Sequence, residues 1–157
     1  LLGPATASVL DAAGVEVPAS MGARAGRLDG VAVPVLGAEL LDWGRDRLGT
    51  TINEFYGQTE CNLILGNSID VFEPRAGSTG KASMGAEVTI LDSEGNETPA
   101  GETGEIAVKR GILQMFLGYW QAPEKTAEKF IGDWMLTGDV GRRDEEGYFT
   151  SRHARMT

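Results

Sequence analysis

The sequence predicts an α/β region followed by antiparallel β structure, and three observations carry that prediction. Residues 31–56 read as a strand, a helix and a second strand in succession, the order of a parallel α/β unit. Beyond residue 66, Gly and Pro punctuate short alternating apolar runs, as expected of strands joined by tight turns. The 157 residues are 41% hydrophobic, enough for one buried core. The expectation is therefore a single domain with an α/β portion over residues 1–66 and a mainly β portion over residues 67–157 that carries one surface helix.

Residues 5–13 are rich in small side chains, with Val9 and Leu10 as sizeable apolar groups, and predict a short helix. The glycine-rich residues 14–30 have no period and read as loop. Val31-Ala-Val-Pro-Val-Leu36 suits a buried strand that Pro34 confines to an edge or ends early. Residues 37–48 follow as a helix, with Glu39 and Asp42 early, Arg45 and Arg47 late, and Gly49 where a C-cap belongs. Leu40, Trp43 and Leu48 are its candidate buried side. Thr51 to Tyr56 then alternates small, β-branched and aromatic residues as a strand does, and Gly57 supplies a turn.

In the β portion, Val88 and Ile90 share one strand face and Ile106 and Val108 another, with residues 92–96 and 99–104 as turns. These alternations predict an antiparallel meander or open barrel. Residues 123–130 predict a helix with Pro123 in its first turn and a solvated, charged outer side. A strand over residues 134–136 leads to Thr137-Gly-Asp139, and residues 142–147 form a turn before Tyr148 and Phe149.

The formal charge of -9, with no basic stripe, argues against nucleic acid or an anionic membrane as the main partner. Cys61 is the only cysteine, which excludes an internal disulfide and a cysteine-built metal site and fits a reducing cytoplasm. Residues 1–10 hold neither a basic leader nor an apolar run of membrane-spanning length. The chain does not open on Met, so the expectation is that it begins inside a longer protein. Neither Cys61 nor His153, the only histidine, is assigned a role.

The stretch with the most chemistry is Asn53-Glu-Phe-Tyr-Gly-Gln-Thr-Glu60, which gathers Tyr56, Thr59 and Glu60 at the end of a strand. An aromatic face can stack on a base, a hydroxyl can bond a phosphate oxygen, and a carboxylate can help hold the Mg²⁺ that accompanies phosphates. Residue types alone leave open a strand that merely ends in a polar turn. Five motifs nevertheless occur in order: residues 52–60, Gly77-Ser-Thr-Gly-Lys81, Gly104-Glu-Ile-Ala-Val108, Met115-Phe-Leu-Gly-Tyr-Trp120 and Trp134-Met-Leu-Thr-Gly-Asp139. Together they resemble the adenylate-forming, AMP-binding superfamily, and within it the acetyl-CoA and medium-chain acyl-CoA synthetases. The resemblance covers residues 34–148 and implies an internal fragment of the large N-terminal domain, combining part of its α/β sheet with part of its distorted β-barrel.

The resemblance also implies a chemistry. A carboxylic acid attacks the α-phosphate of ATP, with Mg²⁺ present, to give acyl-AMP and pyrophosphate, and the thiol of CoA then displaces AMP. It places Glu54, Phe55, Tyr56, Gly57, Gln58 and Thr59 along the adenine and α-phosphate, with Tyr56 against the base and Thr59 on the phosphate. Thr59 and Glu60 become the catalytic residues and Glu60 the metal ligand. Asp139 takes both ribose hydroxyls through its two oxygens, and Arg152 contacts ribose. At position 57 the acetate-specific relatives carry Trp, so Gly57 implies room for a larger acyl group.

The chain departs from the family pattern in four places. The glycine-rich, Ser/Thr-rich loop that grips the outer phosphates and the C-terminal lid with its lysine are both absent, so the isolated chain is expected to show little or no ligase activity. Gly30-Val-Ala-Val33 stands where the family has a Gly-Gly-Glu-like loop, and Ser151-Arg152 lies two residues closer to Asp139 than usual, followed by His153-Ala154 in place of the hinge aspartate. Missing N- and C-terminal segments of the same enzyme are then the implied partners. A truncated, non-catalytic binding or interaction piece is the alternative reading, and an adenylation domain feeding a carrier protein is a further one.

Overall fold

A computed structural model of the chain describes residues 38–49 and 51–152. They fall into two compact units, one containing the described residues up to Ile52 and the other those from Asn53 onward. The helix expected over residues 5–13, the loop over 14–30 and the strand over 31–36 lie outside the described residues, as does His153.

In the first unit, helix α1 (Ala38–Leu48) has the C-terminal end that its sequence demands. Arg45 and Arg47 occupy the last turn, where cations oppose the partial negative charge of unpaired carbonyls. Gly49 follows at φ +62°, the left-handed conformation that commonly closes a helix. Leu41 is buried and Trp43 half-buried, so the buried side includes a leucine that the pattern did not single out. The side chains of Leu40 and Leu48 are outside the description.

The described strands of the second unit are all paired antiparallel. Strands β1 (Phe55–Gln58) and β2 (Asn62–Gly66) form a hairpin, and β3 (Lys81–Ala82) pairs with β2. This corrects the expected strand over residues 51–56 with a turn at Gly57. The strand starts at Phe55 and runs through Gly57, because the left-handed residue of the connection is Asn62 at φ +55°. The turn comes at residues 59–61, closed by the Cys61 N–H on the Gln58 carbonyl at 3.1 Å. Glycine at 57 answers a different need: a Cβ there would stand 1.7 Å from the Asn62 carbonyl oxygen.

Strands β4 (Val88–Leu91), β5 (Thr103–Lys109), β6 (Phe130–Ile131) and β7 (Trp134–Arg143) form a second sheet in the order β4-β5-β7-β6, with β8 (Phe149–Arg152) also on β7. The register sets Val88 opposite Val108 and Ile90 opposite Ile106, cross-strand apolar pairs of the kind that stabilise sheets. Both faces of β4 are covered, since Thr89 and Leu91 are buried as well. The Thr89 hydroxyl escapes the cost of burial by donating to Glu97 Oε2 at 2.9 Å. Helix α2 (Pro123–Glu128) has no buried residue and Pro in its first turn, as expected of the surface helix, though it ends before Phe130, which opens β6.

Tyr56, Cys61, Ile64 and Leu65 from the hairpin and Ile90, Ile106, Val108, Met135 and Phe149 from the larger sheet share one core cluster. The two sheets are also tied through backbone, at a bridge between Gly80 and Phe149. The Phe149 carbonyl accepts three bonds, from the Thr79 N–H at 2.9 Å, the Ser78 hydroxyl at 2.8 Å and the Thr79 hydroxyl at 3.1 Å. Residues 77–81 are thus a structural joint whose hydroxyls are spent on β8. Beside it, the Arg75 guanidinium lies 3.9 Å over the Tyr148 ring and bonds Asp144 at 3.2 Å.

Cys61 lies in this core with no exposed surface. Burial pushes its thiol from 9.0 up to about 11. Because the folded value is the higher one, this contribution to stability is complete below pH 9 and is lost as pH rises from about 9 through 11. Urea midpoints measured across that range are expected to fall, and Cys61→Ala to flatten the fall. Identical slopes in both proteins would exclude the thiol as the cause.

Candidate functional site

Two local irregularities bring the predicted residues together. The first is the hairpin itself, whose register slips between Tyr56 and Gly57, so that Tyr56 is buried while Gln58 and Glu60 stay partly accessible and Thr59 is exposed. The second is a bulge in β7. Opposite the single residue Ile106 of β5, strand β7 spends three: Thr137, Gly138 and Asp139. Extra residues of this kind bend a strand and re-aim its side chains.

Each residue of the bulge is secured. The Thr137 hydroxyl donates to the Ile106 carbonyl at 2.8 Å and also accepts from the Asp139 N–H at 3.2 Å. Gly138 adopts φ +83°, which suits glycine, and its N–H donates to Glu105 Oε1 at 2.7 Å. Asp139 is thereby delivered to the hairpin, where the Tyr56 hydroxyl donates to its Oδ2 at 2.7 Å. The Gln58 side-chain amide donates to the Thr137 carbonyl at 2.9 Å. Burial, reinforced by the neighbouring Asp139 charge, holds the Tyr56 hydroxyl far above its ordinary value, so it remains a proton donor at every physiological pH.

Glu60 is held from a third direction. Its Oε1 accepts the Tyr119 hydroxyl at 2.5 Å, and its backbone carbonyl accepts the Phe116 N–H at 2.7 Å. The bond to Glu60, more than burial, pushes the Tyr119 hydroxyl up to about 12. An open cleft of about 340 Å³ lies at the hairpin turn, lined by Gly57, Gln58, Thr59, Asn62, Leu63 and Gln114.

Tyr56, Gln58 and Asp139 therefore converge, with Thr59 and Glu60 on the adjoining turn. Phe55 is about half exposed, and Glu54 is buried. Arg152 pairs through its backbone with Val140, the neighbour of Asp139, while its side chain is outside the description. A Cβ at Gly57 would meet the backbone of Asn62 and Leu63, while Gly57 itself lines the open cleft at the hairpin turn. Sequence reasoning missed Glu105, which supports the bulge, and Tyr119, which holds Glu60. Their partners lie 33 and 59 residues away along the chain, where no local period reaches.

The family model for AMP-binding enzymes matches residues 23–120. An uncharacterized acyl–CoA ligase of Bacillus subtilis (strain 168) is 38% identical over 114 residues, covering 73% of this chain and 21% of that protein. A mitochondrial acyl-coenzyme A synthetase of Rattus norvegicus is 40% identical over 117 residues, covering 73% of this chain and 20% of its own length. Among solved structures, ATP-bound MatB from Rhodopseudomonas palustris superposes with a TM-score of 0.68 at 34% identity, covering 74% of this chain and 23% of MatB. The O-succinylbenzoate coenzyme A synthetase of Bacillus subtilis in complex with AMP gives a TM-score of 0.65 at 29% identity, with 74% and 24% covered. The chain thus spans about a fifth of the length of the curated relatives it matches.

Proposed function

The chain belongs to the AMP-binding enzyme family, as part of the large domain of the adenylate-forming fold, and from that premise we propose that it carries part of the nucleotide site of an acyl-CoA synthetase. The reaction is the activation of a carboxylic acid by ATP as acyl-AMP, followed by transfer of the acyl group to CoA. In the first step a carboxylate oxygen bonds to the α-phosphorus as the bond to pyrophosphate breaks. In the second the CoA sulfur bonds to the acyl carbon, and AMP departs with the electron pair. The chain is read as one partial AMP-binding domain, with residues 1–66 as its α/β portion and residues 67–157 as its mainly β portion.

The observation that carries this reading is the hydrogen bond between Tyr56 and Asp139, which joins the first and last of the five motifs. Asp139 receives the ribose hydroxyls, Tyr56 holds Asp139 and forms the adenine side with residues 54–58, and Thr59 donates its exposed hydroxyl to the α-phosphate. Arg152 approaches ribose from β8. Most of the catalytic effect in such a site comes from alignment and from charge stabilisation around the phosphorus.

Mg²⁺, when bound with ATP, neutralises phosphate charge. Among the described residues no cluster of three or more His, Cys, Asp or Glu stands ready to hold an ion. A cation held by one carboxylate and the substrate's own phosphates is the usual arrangement for Mg²⁺, and Glu60, fixed by Tyr119 through Oε1, is the residue for it. Among the described residues no helix is long and apolar enough to cross a membrane. The cytoplasm is the proposed compartment, since the chain's only cysteine is free and buried.

Calorimetric titration of the folded chain with a non-hydrolysable acyl-adenylate analogue tests the reading. Saturable one-to-one binding is the expected result. A folded chain that gives no heat at millimolar analogue contradicts it.

A further inference from the structure

Glu60 occupies the tip of the hairpin, the place where a long carboxylate side chain is least expected to hold one position. Its rotamer freedom must be lost before it can serve a ligand reproducibly. The segment between β5 and α2 grips it at both ends, through the Phe116 N–H on its carbonyl and the Tyr119 hydroxyl on Oε1. We infer that Tyr119 is a positioning residue, which fixes the Glu60 carboxylate through Oε1 and keeps Oε2 for the divalent cation that accompanies the nucleotide phosphates. This rests on the nucleotide-site reading above.

Three features make Tyr119 suited to the task. Its own place is fixed: the Tyr119 N–H donates to the Thr126 hydroxyl at 2.9 Å, and its ring packs edge-on against Phe116 with centroids 5.1 Å apart. Phe116 in turn stacks on Phe130 at 6.1 Å, which anchors the segment to β6. The backbone turns just before it at Gly118, φ +148°, where a Cβ would crowd Thr126 at 3.2 Å. Finally, the donor is neutral. A Lys or Arg on Oε1 would cancel the charge that attracts a cation, whereas a phenol fixes the geometry and leaves the carboxylate its full charge.

The test measures ATP affinity of the full chain with excess Mg²⁺ and with EDTA, taking the ratio as the gain due to metal. Removing an outer partner of a metal ligand commonly costs 10–100-fold in metal affinity. Tyr119→Phe, which deletes one oxygen and keeps the ring packing, is therefore expected to lower the metal-dependent gain by about tenfold or more, with metal-free AMP affinity changed less than twofold. Glu60→Gln is expected to remove the gain altogether. A gain in Tyr119→Phe equal to that of the unaltered chain overturns the inference, as does an unaltered chain that binds AMP but gains nothing from Mg²⁺. Failure of the unaltered, folded chain to bind AMP at all overturns the nucleotide site itself, a result distinguishable from the other two.

Discussion

Asp139→Ala is expected to weaken binding of an acyl-adenylate analogue by at least about 100-fold. In the proposed site two ribose hydroxyls donate to one carboxylate in charge-assisted bonds, each worth about 1.5–3 kcal/mol, and the alanine variant would lose both. It also strands the Tyr56 hydroxyl, which is buried and donates to Asp139 in the intact chain. An orphaned buried donor costs about 1–3 kcal/mol of stability, so urea unfolding is expected to reveal a second, smaller effect. Asp139→Asn separates the two. Its amide oxygen can still accept from Tyr56, so stability is expected to recover while affinity stays low for want of the charge. Undiminished affinity in the alanine variant would remove Asp139 from the site.

Gly80→Ala is expected to destabilise the fold by about 3 kcal/mol or more, a large share of the 5–15 kcal/mol typical of a domain. Gly80 adopts φ +98°, and a Cβ there would stand 2.0 Å from the Gly66 carbonyl oxygen. Backbone, not a yielding side chain, is what it meets. Relief requires moving either β2 or the Gly80–Phe149 bridge, and the bridge carries the Phe149 N–H on the Gly80 carbonyl at 2.8 Å. Gly101→Ala is the matched control, with φ +86° and nothing within 4 Å; it should show only the conformational strain, about 1–2 kcal/mol. Equal urea midpoints for the two variants would contradict the steric account.

How far the sequence reaches is clearest where a residue answers to its near neighbours. Gly49 closes α1, Pro123 opens α2, and the apolar alternation in β4 and β5 finds its register, because each obeys a period or a cap set within a few residues. Gly57 misleads for the same reason. Local logic makes it a turn, whereas it lies in a strand with the backbone of Asn62 passing close by. The bulge at Thr137-Gly-Asp139 has no signature of its own beyond one glycine, and its cause, two extra residues opposite Ile106, exists only once β5 is paired. Glu60 stood out by residue type at the end of its strand, and Asp139 entered the candidate site through resemblance. Tyr119, the partner of Glu60, and Glu105, which accepts from Gly138 in the bulge, show these roles only in three dimensions.

The hydrogen bond from Tyr56 to Asp139 spans 83 residues of chain, and that separation has a consequence in time. Closing so long a loop is costly in entropy before any contact repays it, so the hairpin and the early strands can form well before the bulge of β7 meets them. Nucleotide analogue present during folding is therefore expected to slow unfolding more than it speeds refolding, which urea chevrons recorded with and without the analogue would check; equal acceleration of refolding would contradict it.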